Sequence, residues 1–249
     1  MSGIVGIVST HNTVPGLLHS LQRMEEPGHN SCGLVVHGLQ GQTNSPARLH
    51  RHRRAQRASA WIEQMAQSEK PALNGLQGMI GMGHCGQNPT TGSHALHNVL
   101  PQMSHGPNSH LNSPARVAVV MHGQTQATPL LLEAMIERDY SFKSQSASEL
   151  VAHLIDATYQ SDPVQAVRRV LGLLHGPLAM GVMFKGEPQK MFVVQRDKKL
   201  YWGSGPTHIA WASTTDALPK DTIDLTPLCA AQVLEIHSSE TIISHCLHT

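Results

Sequence analysis

Histidine is the residue type in this chain that most plainly invites a chemical interpretation, with 18 among 249 residues. Imidazole nitrogens bind transition metals, and three histidine pairs have spacings that metal sites use. No cysteine or carboxylate completes a ligand set around any pair, and such pairs arise readily in a chain so rich in histidine. We therefore expect no metal site and no cofactor. The pairs are His50 with His52, His94 with His97, and His245 with His248.

A run of arginines near residue 50 could form an anion or nucleic-acid patch. However, Lys+Arg 18 against Asp+Glu 17 leaves a formal charge of +1, so no overall field attracts nucleic acid or an anionic membrane. The pattern favours a solvated strand face or a contact with a partner protein. We expect neither nucleic acid nor membrane as a partner. The arginines are Arg48, Arg51, Arg53, Arg54 and Arg57.

No segment of the sequence reads as a membrane anchor or a secretion signal. The longest apolar runs fall short of the roughly 18 residues that a membrane helix needs, and no basic stretch precedes the apolar start of the chain. Four cysteines lie far apart without CxxC spacing, which fits reduced thiols. These features predict a cytoplasmic protein. The cysteines are Cys32, Cys85, Cys229 and Cys246.

The elements that must position any site follow a layered pattern. Strands come first, helices follow and strands return, without regular βαβ alternation, which favours an α+β sandwich. Residues 86–114, rich in Gly, Asn, Pro, Ser and His, predict a functional loop or lid, and a turn is predicted at 41–46. Thr13 and Ser146 are predicted helix caps, the latter in a capping box with Glu149. The predicted strands are 3–9, 32–38, 48–53, 79–83, 117–121, 178–184, 190–195, 208–213, 231–236 and 241–246, and the predicted helices are 14–24, 58–68, 129–138, 146–159 and 164–174.

Several stretches, in order and at similar spacing, resemble class II glutamine amidotransferases. Residues 1–7 resemble the family's opening, Met-Cys-Gly-Ile-Val-Gly, and residues 21–34 resemble the helix-to-strand turn of glucosamine-6-phosphate synthase. Residues 78–93 are similar to the Gly-His-Val-Arg-Tyr-Pro-Thr-Ala-Gly-Ser loop of amidophosphoribosyltransferase. Residues 119–123 stand where the family has His-Asn-Gly, and residues 146–154 resemble its Ser-Asp-Thr-Glu-x-x-x-His segment. The matches span about residues 1–215.

The resemblance implies a fold and a mechanism. The fold is the four-layer αββα sandwich of the N-terminal nucleophile hydrolase type, here as a single domain over residues 1–249 with no synthase or phosphoribosyltransferase domain. In the family, an N-terminal cysteine attacks the glutamine side-chain amide, and its own α-amino group is the general base. An Asn side chain and a Gly N–H stabilise the oxyanion. An Arg binds the substrate carboxylate and an Asp binds its ammonium.

Most of these positions differ when the family's roles are carried over to this chain. We expect glutaminase activity to be lost, because both charged anchors for glutamine are absent and one oxyanion donor is replaced. We also expect the two lost anchors to leave open space where charges stood. The positions are Ser2 for the nucleophile, His122 and Gly123 for the oxyanion donors, Gly86 for the Arg and Ala147 for the Asp.

The individual residues keep two interpretations each. Ser2 is either an inert small residue or an active nucleophile, since N-terminal hydroxyl groups work in related hydrolases. His122 either donates to an oxyanion or is simply hydrogen-bonded in place. His84 stands at a position that the resemblance makes structural, which favours packing over chemistry.

Three functions remain as hypotheses. The first is a pseudo-glutaminase that binds or regulates a separate protein subunit. The second is an amidohydrolase that uses Ser2 on an altered amide substrate, or an ammonia-donating glutaminase subunit of a separate synthase. The third is a sensor in which the histidine-rich loop 84–110 closes over a small amide or amino-acid ligand.

Overall fold

Two antiparallel β-sheets lie face to face between two layers of helices in the computed structural model of this chain. The predicted turn at 41–46, Pro89 and His248 lie outside the part that the structure describes. That part comprises residues 2–38, 48–67, 76–88, 90–110, 113–125, 128–230, 232–238 and 241–246.

The elements of the described residues are numbered in chain order. The helices are α1 (Val14–Arg23), α2 (Ala58–Gln67), α3 (Pro129–Ile136), α4 (Ala147–Thr158) and α5 (Pro163–Leu173). The strands are β1 (Gly3–Ser9), β2 (Ser31–Gly38), β3 (Arg48–Arg54), β4 (Ile80–Gly86), β5 (Gln102–Ser104), β6 (Val117–Gly123), β7 (Leu178–Phe184), β8 (Lys190–Arg196), β9 (Tyr201–Gly205), β10 (His208–Ala212), β11 (Ile223–Pro227), β12 (Gln232–His237) and β13 (Ile242–Cys246).

The strands form two sheets, which we call sheet one and sheet two. Sheet one has the order β11-β9-β10-β1-β4-β2-β3, and sheet two has the order β13-β12-β8-β7-β6-β5. One buried cluster joins the inner faces of both sheets, a second packs α1 and α2 on sheet one, and a third packs α4 and α5 on sheet two. The predicted four-layer αββα sandwich is confirmed.

Strand β1 illustrates how the sequence produces these layers. Successive side chains of a strand point to opposite faces. Accordingly, Ile4 and Val8 belong to the cluster between the sheets, whereas Val5 and Ile7 pack under α1. A strand buried on both faces reads as a continuous apolar run, which is why its position could be predicted.

Trp211 on β10 connects the two sheets. Its indole is buried, and Nε1 donates to Sδ of Met191 on β8 at 3.0 Å. A Cβ on Gly6 would lie 2.3 Å from the indole Cε2, and one on Gly181 of β7 would lie 2.6 Å from Cη2. Two glycines, one from each sheet, therefore make room for this ring.

The predicted helix caps are only partly right. Thr13 makes no cap bond, because its hydroxyl donates to the carbonyl of Gly78 at 2.9 Å instead. Ser146 does cap α4 by accepting from the N–H of Ser148 at 3.3 Å. The Glu149 carboxylate bonds the preceding loop rather than the Ser146 N–H, so the capping box is incomplete. None of the helices in the described part of the chain has the length and apolarity needed to cross a membrane.

Three strands were not predicted. β9 contains two glycines, and every residue of β11 is exposed. Neither strand therefore shows an alternating pattern of buried residues. The predicted loop 86–114 contains a 3₁₀ helix, Gly92–Asn98, and the short strand β5. Strand β4 also continues to Gly86, three residues beyond its predicted end.

The ring of Trp211 gives a stability prediction. Gly6→Ala should destabilise the fold by about 1–3 kcal/mol, because the added methyl group overlaps a ring that is fixed between two sheets. Gly172→Ala in α5 is the control, since a Cβ there meets nothing within 4 Å. That variant should be neutral or up to about 1 kcal/mol more stable, because alanine favours the helix. Urea unfolding measures both, and equal effects would contradict the assigned packing.

Candidate functional site

One cavity of about 380 Å³ lies where strand ends from both sheets meet the start of α4. Ser2 precedes β1, His84 lies near the end of β4, Gly123 ends β6 and Ala147 begins α4, and all four line the cavity. The structure therefore brings together four of the six residues proposed from the sequence. His122 and Gly86 are not among the lining residues, although both lie next to Ser2.

The Ser2 hydroxyl and the His122 imidazole are within hydrogen-bond distance of each other. Ser2 Oγ lies 2.8 Å from His122 Nδ1, although the residues are 120 positions apart. Burial lowers the pKa of His122 to about 4, and the positive charge of Lys198 acts in the same direction. At neutral pH the imidazole is therefore uncharged. An uncharged imidazole can accept a hydroxyl proton or hold the hydroxyl in place.

Gly123, beside His122, is held in a backbone conformation that favours glycine. Its φ is +132°, and a Cβ would lie 2.2 Å from the carbonyl oxygen of Pro177. The residue type is thus required by the crossing of β6 with the segment before β7. That requirement is structural and applies whether or not the Gly123 N–H stabilises an oxyanion.

His84 is buried at the wall of the cavity. Burial lowers its pKa to about 3, and the neighbouring His122 and His29 add to the effect. Its Nδ1 atom has no hydrogen-bond partner among the described residues. The ring packs beside Gly86, whose Cβ position would be 3.0 Å from His84 Cε1.

The expectation that Gly86 leaves open space is wrong. A Cβ at Gly86 would lie 2.8 Å from the Cβ of Ser2, in addition to its contact with His84. Ser2 and His84 therefore fill the space beside this strand end. Ala147, by contrast, lines the cavity as expected. The two positions differ because Gly86 is in a pleated strand, whereas Ala147 begins a helix at the cavity wall.

Glu149 shapes the segment that precedes α4. Its buried carboxylate accepts from the N–H groups of Lys143 and Ser144, at 3.0 and 2.7 Å, and from the Ser144 hydroxyl at 2.6 Å. This carboxylate fixes the turn that presents Gln145 and Ala147 to the cavity. The resemblance pointed to this segment but not to the role of the carboxylate.

His153 and Asp156 extend this support from α4 to sheet two. His153 Nδ1 lies 3.0 Å from Ser104 Oγ, and its ring packs between Tyr140 and Phe142. Asp156 accepts from the Ser104 and Tyr140 hydroxyls and pairs with Arg116 Nε at 3.0 Å. A fully buried carboxylate with this many donors fixes the helix on the sheet.

Asparagines that sequence reasoning missed hold the loop over the cavity. Asn30 makes two bonds to the backbone of Asn88, at 2.7 and 2.9 Å. Asn98 donates to Thr90 Oγ1 at 2.6 Å and accepts from the Gln145 N–H at 2.9 Å. The repeated asparagines in the predicted loop were the available signal, because this side chain pairs readily with backbone groups.

Two of the arginines also support this loop, so the predicted solvated strand face is wrong for them. Arg53 Nη1 donates to the carbonyl of Val99 at 2.8 Å, and Arg51 Nη1 to that of Pro101 at 3.2 Å. Arg54 lies over the ring of Trp61, and Arg57 pairs with Glu25 at 2.6 Å.

Of the histidine pairs, His245 bonds Glu235 at 2.7 Å, and the described residues contain no cluster of three metal-ligating side chains.

The cavity is polar but uncharged. None of the described residues that line it is Asp, Glu, Lys or Arg, and burial keeps His84 neutral. The polar lining consists of hydroxyl, amide and imidazole groups, which include Ser31, Asn88, Asn98 and Gln145. Such a lining suits a ligand with hydrogen-bonding groups and no net charge.

The fold and the location of the site define an α+β protein of the N-terminal nucleophile hydrolase type. A family model described as a glutamine amidotransferase domain matches residues 94–220, and the chain belongs to this family. It is similar to the glutamine–fructose-6-phosphate aminotransferase (isomerizing) of Bordetella pertussis, with 28% identity over 88% of this chain and 34% of the relative. The same enzyme of Acidithiobacillus ferridurans is 31% identical over 88% of this chain and 32% of the relative. The chain thus spans about a third of these relatives.

Solved structures show the same fold. The glutamine phosphoribosylpyrophosphate amidotransferase of B. subtilis, complexed with ADP and GMP, matches 99% of this chain and 49% of its own with a TM-score of 0.74 at 20% identity. A glutamine aminotransferase class-II domain protein of Silicibacter pomeroyi matches 98% of this chain and 97% of its own with a TM-score of 0.62 at 14% identity.

The neutral histidines of the site give a pH prediction. Because burial lowers the pKa of His84 and His122 from 6.5 to about 3 and 4, the unfolded chain binds more protons than the folded chain at acidic pH. The free energy of unfolding should therefore rise with pH between about 4 and 6.5. His84→Asn should make that rise shallower, whereas His11→Asn, at an exposed position, should not. Urea titrations at several pH values test the slope, and an unchanged slope in His84→Asn would refute it.

Proposed function

We propose that this chain is a glutamine amidotransferase-like domain that does not hydrolyse glutamine and serves as a binding or regulatory subunit. The uncharged cavity carries the proposal. Free glutamine has a carboxylate and an ammonium group, and each would enter the site without an oppositely charged partner. A charge-assisted contact contributes roughly 1.5–3 kcal/mol. Two absent contacts therefore remove most of the binding energy available to so small a ligand.

The state of the individual positions supports the same conclusion. Ala147 offers a methyl group where the family has its ammonium-binding Asp. Gly86 cannot be compensated by a nearby side chain, because Ser2 and His84 already fill the space beside it. His122 Nδ1 is engaged with Ser2, so it differs from a free oxyanion donor. Losing one such donor costs about 3–4 kcal/mol of barrier stabilisation.

We further propose that the partner is a separate protein subunit. The curated relatives are aminotransferases of which this chain spans about a third. In our proposal the layers described above are the glutaminase-like part of such proteins. In our proposal the acceptor chemistry belongs to the partner, and this domain contributes a binding surface or a ligand-sensing cavity.

Ammonia release from glutamine tests the proposal directly. The wild-type chain should release no more ammonia than Ser2→Ala, because the anchors for glutamine are missing. Intact mass measured on both proteins reports whether Met1 is removed. Release at an enzymatic rate that Ser2→Ala abolishes would overturn the proposal and favour an ammonia-donating glutaminase subunit of a separate synthase.

A second candidate is an amidohydrolase that acts on an uncharged amide. The observation in its favour is the 2.8 Å contact between Ser2 Oγ and His122 Nδ1. In this reaction Ser2 Oγ attacks the amide carbonyl carbon, and the imidazole accepts the hydroxyl proton and gives it to the leaving amine. Water then hydrolyses the acyl ester and releases the acid. With His122 as base, the reaction does not need a free α-amino group.

Acylation with p-nitrophenyl acetate tests this second candidate. An active Ser2 should become acetylated, as located by peptide mass mapping, and His122→Asn should slow acetylation at least about a hundredfold because the base is lost. His19→Asn, on α1 away from the cavity, is the matched control. If Ser2 is not acetylated, or if the two variants react alike, His122 does not activate the hydroxyl and only the binding function stands.

A further inference from the structure

A second cavity of about 720 Å³ lies beside the first, between α3 and the start of α4. Its lining is mainly apolar and includes Pro129, Leu132, Ile136, Phe142 and Leu150. A few residues that carry hydroxyl groups, among them Thr125 and Thr128, also line it. Its volume and composition are those of a small-molecule site rather than of a packing defect.

Helix α3 contributes apolar side chains that the core does not use. Ile136 is 55% exposed and Leu132 is 39% exposed, although both line this cavity. Met135 is the helix residue that is buried. Adjacent exposed apolar residues on one short helix mark a surface with a binding role.

The two cavities share one stretch of wall. Gln145, Ser146 and Ala147 line both of them. The Glu149 carboxylate and the bond from the Gln145 N–H to Asn98 hold this stretch in place. Ala147 is small and uncharged in this shared wall, so its side chain places no charge against a molecule that occupies both cavities.

We propose that the two cavities bind one amphiphilic molecule, with an uncharged polar head such as a primary amide in the first cavity and an unbranched acyl chain in the second. This inference rests on the proposed function, because it requires that glutamine does not occupy the first cavity. The amide head matches the mixture of donors and acceptors in the hydroxyl, amide and imidazole lining. The acyl chain covers the exposed apolar side chains of α3.

Calorimetric titration with unbranched primary amides, from acetamide to octanamide, tests the inference. The dissociation constant should fall about three- to fourfold for each added methylene once the chain reaches the apolar cavity. Octanoate should bind more weakly than octanamide, because no cationic side chain lines the first cavity among the described residues. Affinity that does not depend on chain length would overturn the inference while leaving the proposed function intact.

Two variants on the same helix separate this site from general damage to the fold. Leu132→Glu places a charge in the apolar cavity and should weaken octanamide binding more than tenfold while leaving acetamide binding unchanged. Leu130→Glu is the matched control, because Leu130 is 72% exposed and does not line the cavity. Equal weakening by both variants, or no binding of any amide by the wild-type chain, would overturn the inference. Glutamine hydrolysis, measured separately, would overturn the proposed function instead.

Discussion

The packing of the two sheets around Trp211 is the constraint on which the site depends. The indole occupies space that a Cβ on Gly6 or Gly181 would take, so each sheet contributes a glycine to one ring. The separation of the sheets follows from this contact. It places the start of β1 against the end of β6, where Ser2 and His122 meet at 2.8 Å. The hydroxyl–imidazole contact is therefore a result of core packing rather than of any local motif.

Burial, more than charge, determines the chemistry of the cavity. His84 and His122 have low pKa values chiefly because they are removed from water, so both imidazoles are neutral at physiological pH. The buried carboxylates nearby serve the fold. Glu149 shapes the loop before α4, and Asp156 ties that helix to β5 and Arg116. These carboxylates stabilise the segments around the cavity, whereas none of the described residues that line it is Asp, Glu, Lys or Arg.

Membership of the glutamine amidotransferase family does not by itself determine which residues line the cavity. The fold rests on three apolar clusters. Ser2, Gly86 and His122 lie at strand ends outside these clusters, and Ala147, at the start of α4, packs against one of them. A shared fold consequently says less about the reaction than the residues at the site do.

The sequence by itself determined most of the helices and strands that make up the layers, because the periodicity of apolar residues depends only on neighbouring positions. The apolar run of β1 and the proline and serine that begin α3 and α4 specify elements from neighbouring residues alone, and the ordered family motifs located the cavity. The sequence did not reveal β9 and β11, which lack a buried alternating face, or that Arg51 and Arg53 bond loop carbonyls. It also wrongly predicted open space beside Gly86, and it did not predict the apolar cavity between α3 and the start of α4. Tertiary structure decided these features, because the distance between side chains on different elements is set by the packing of the whole core, which no local pattern encodes.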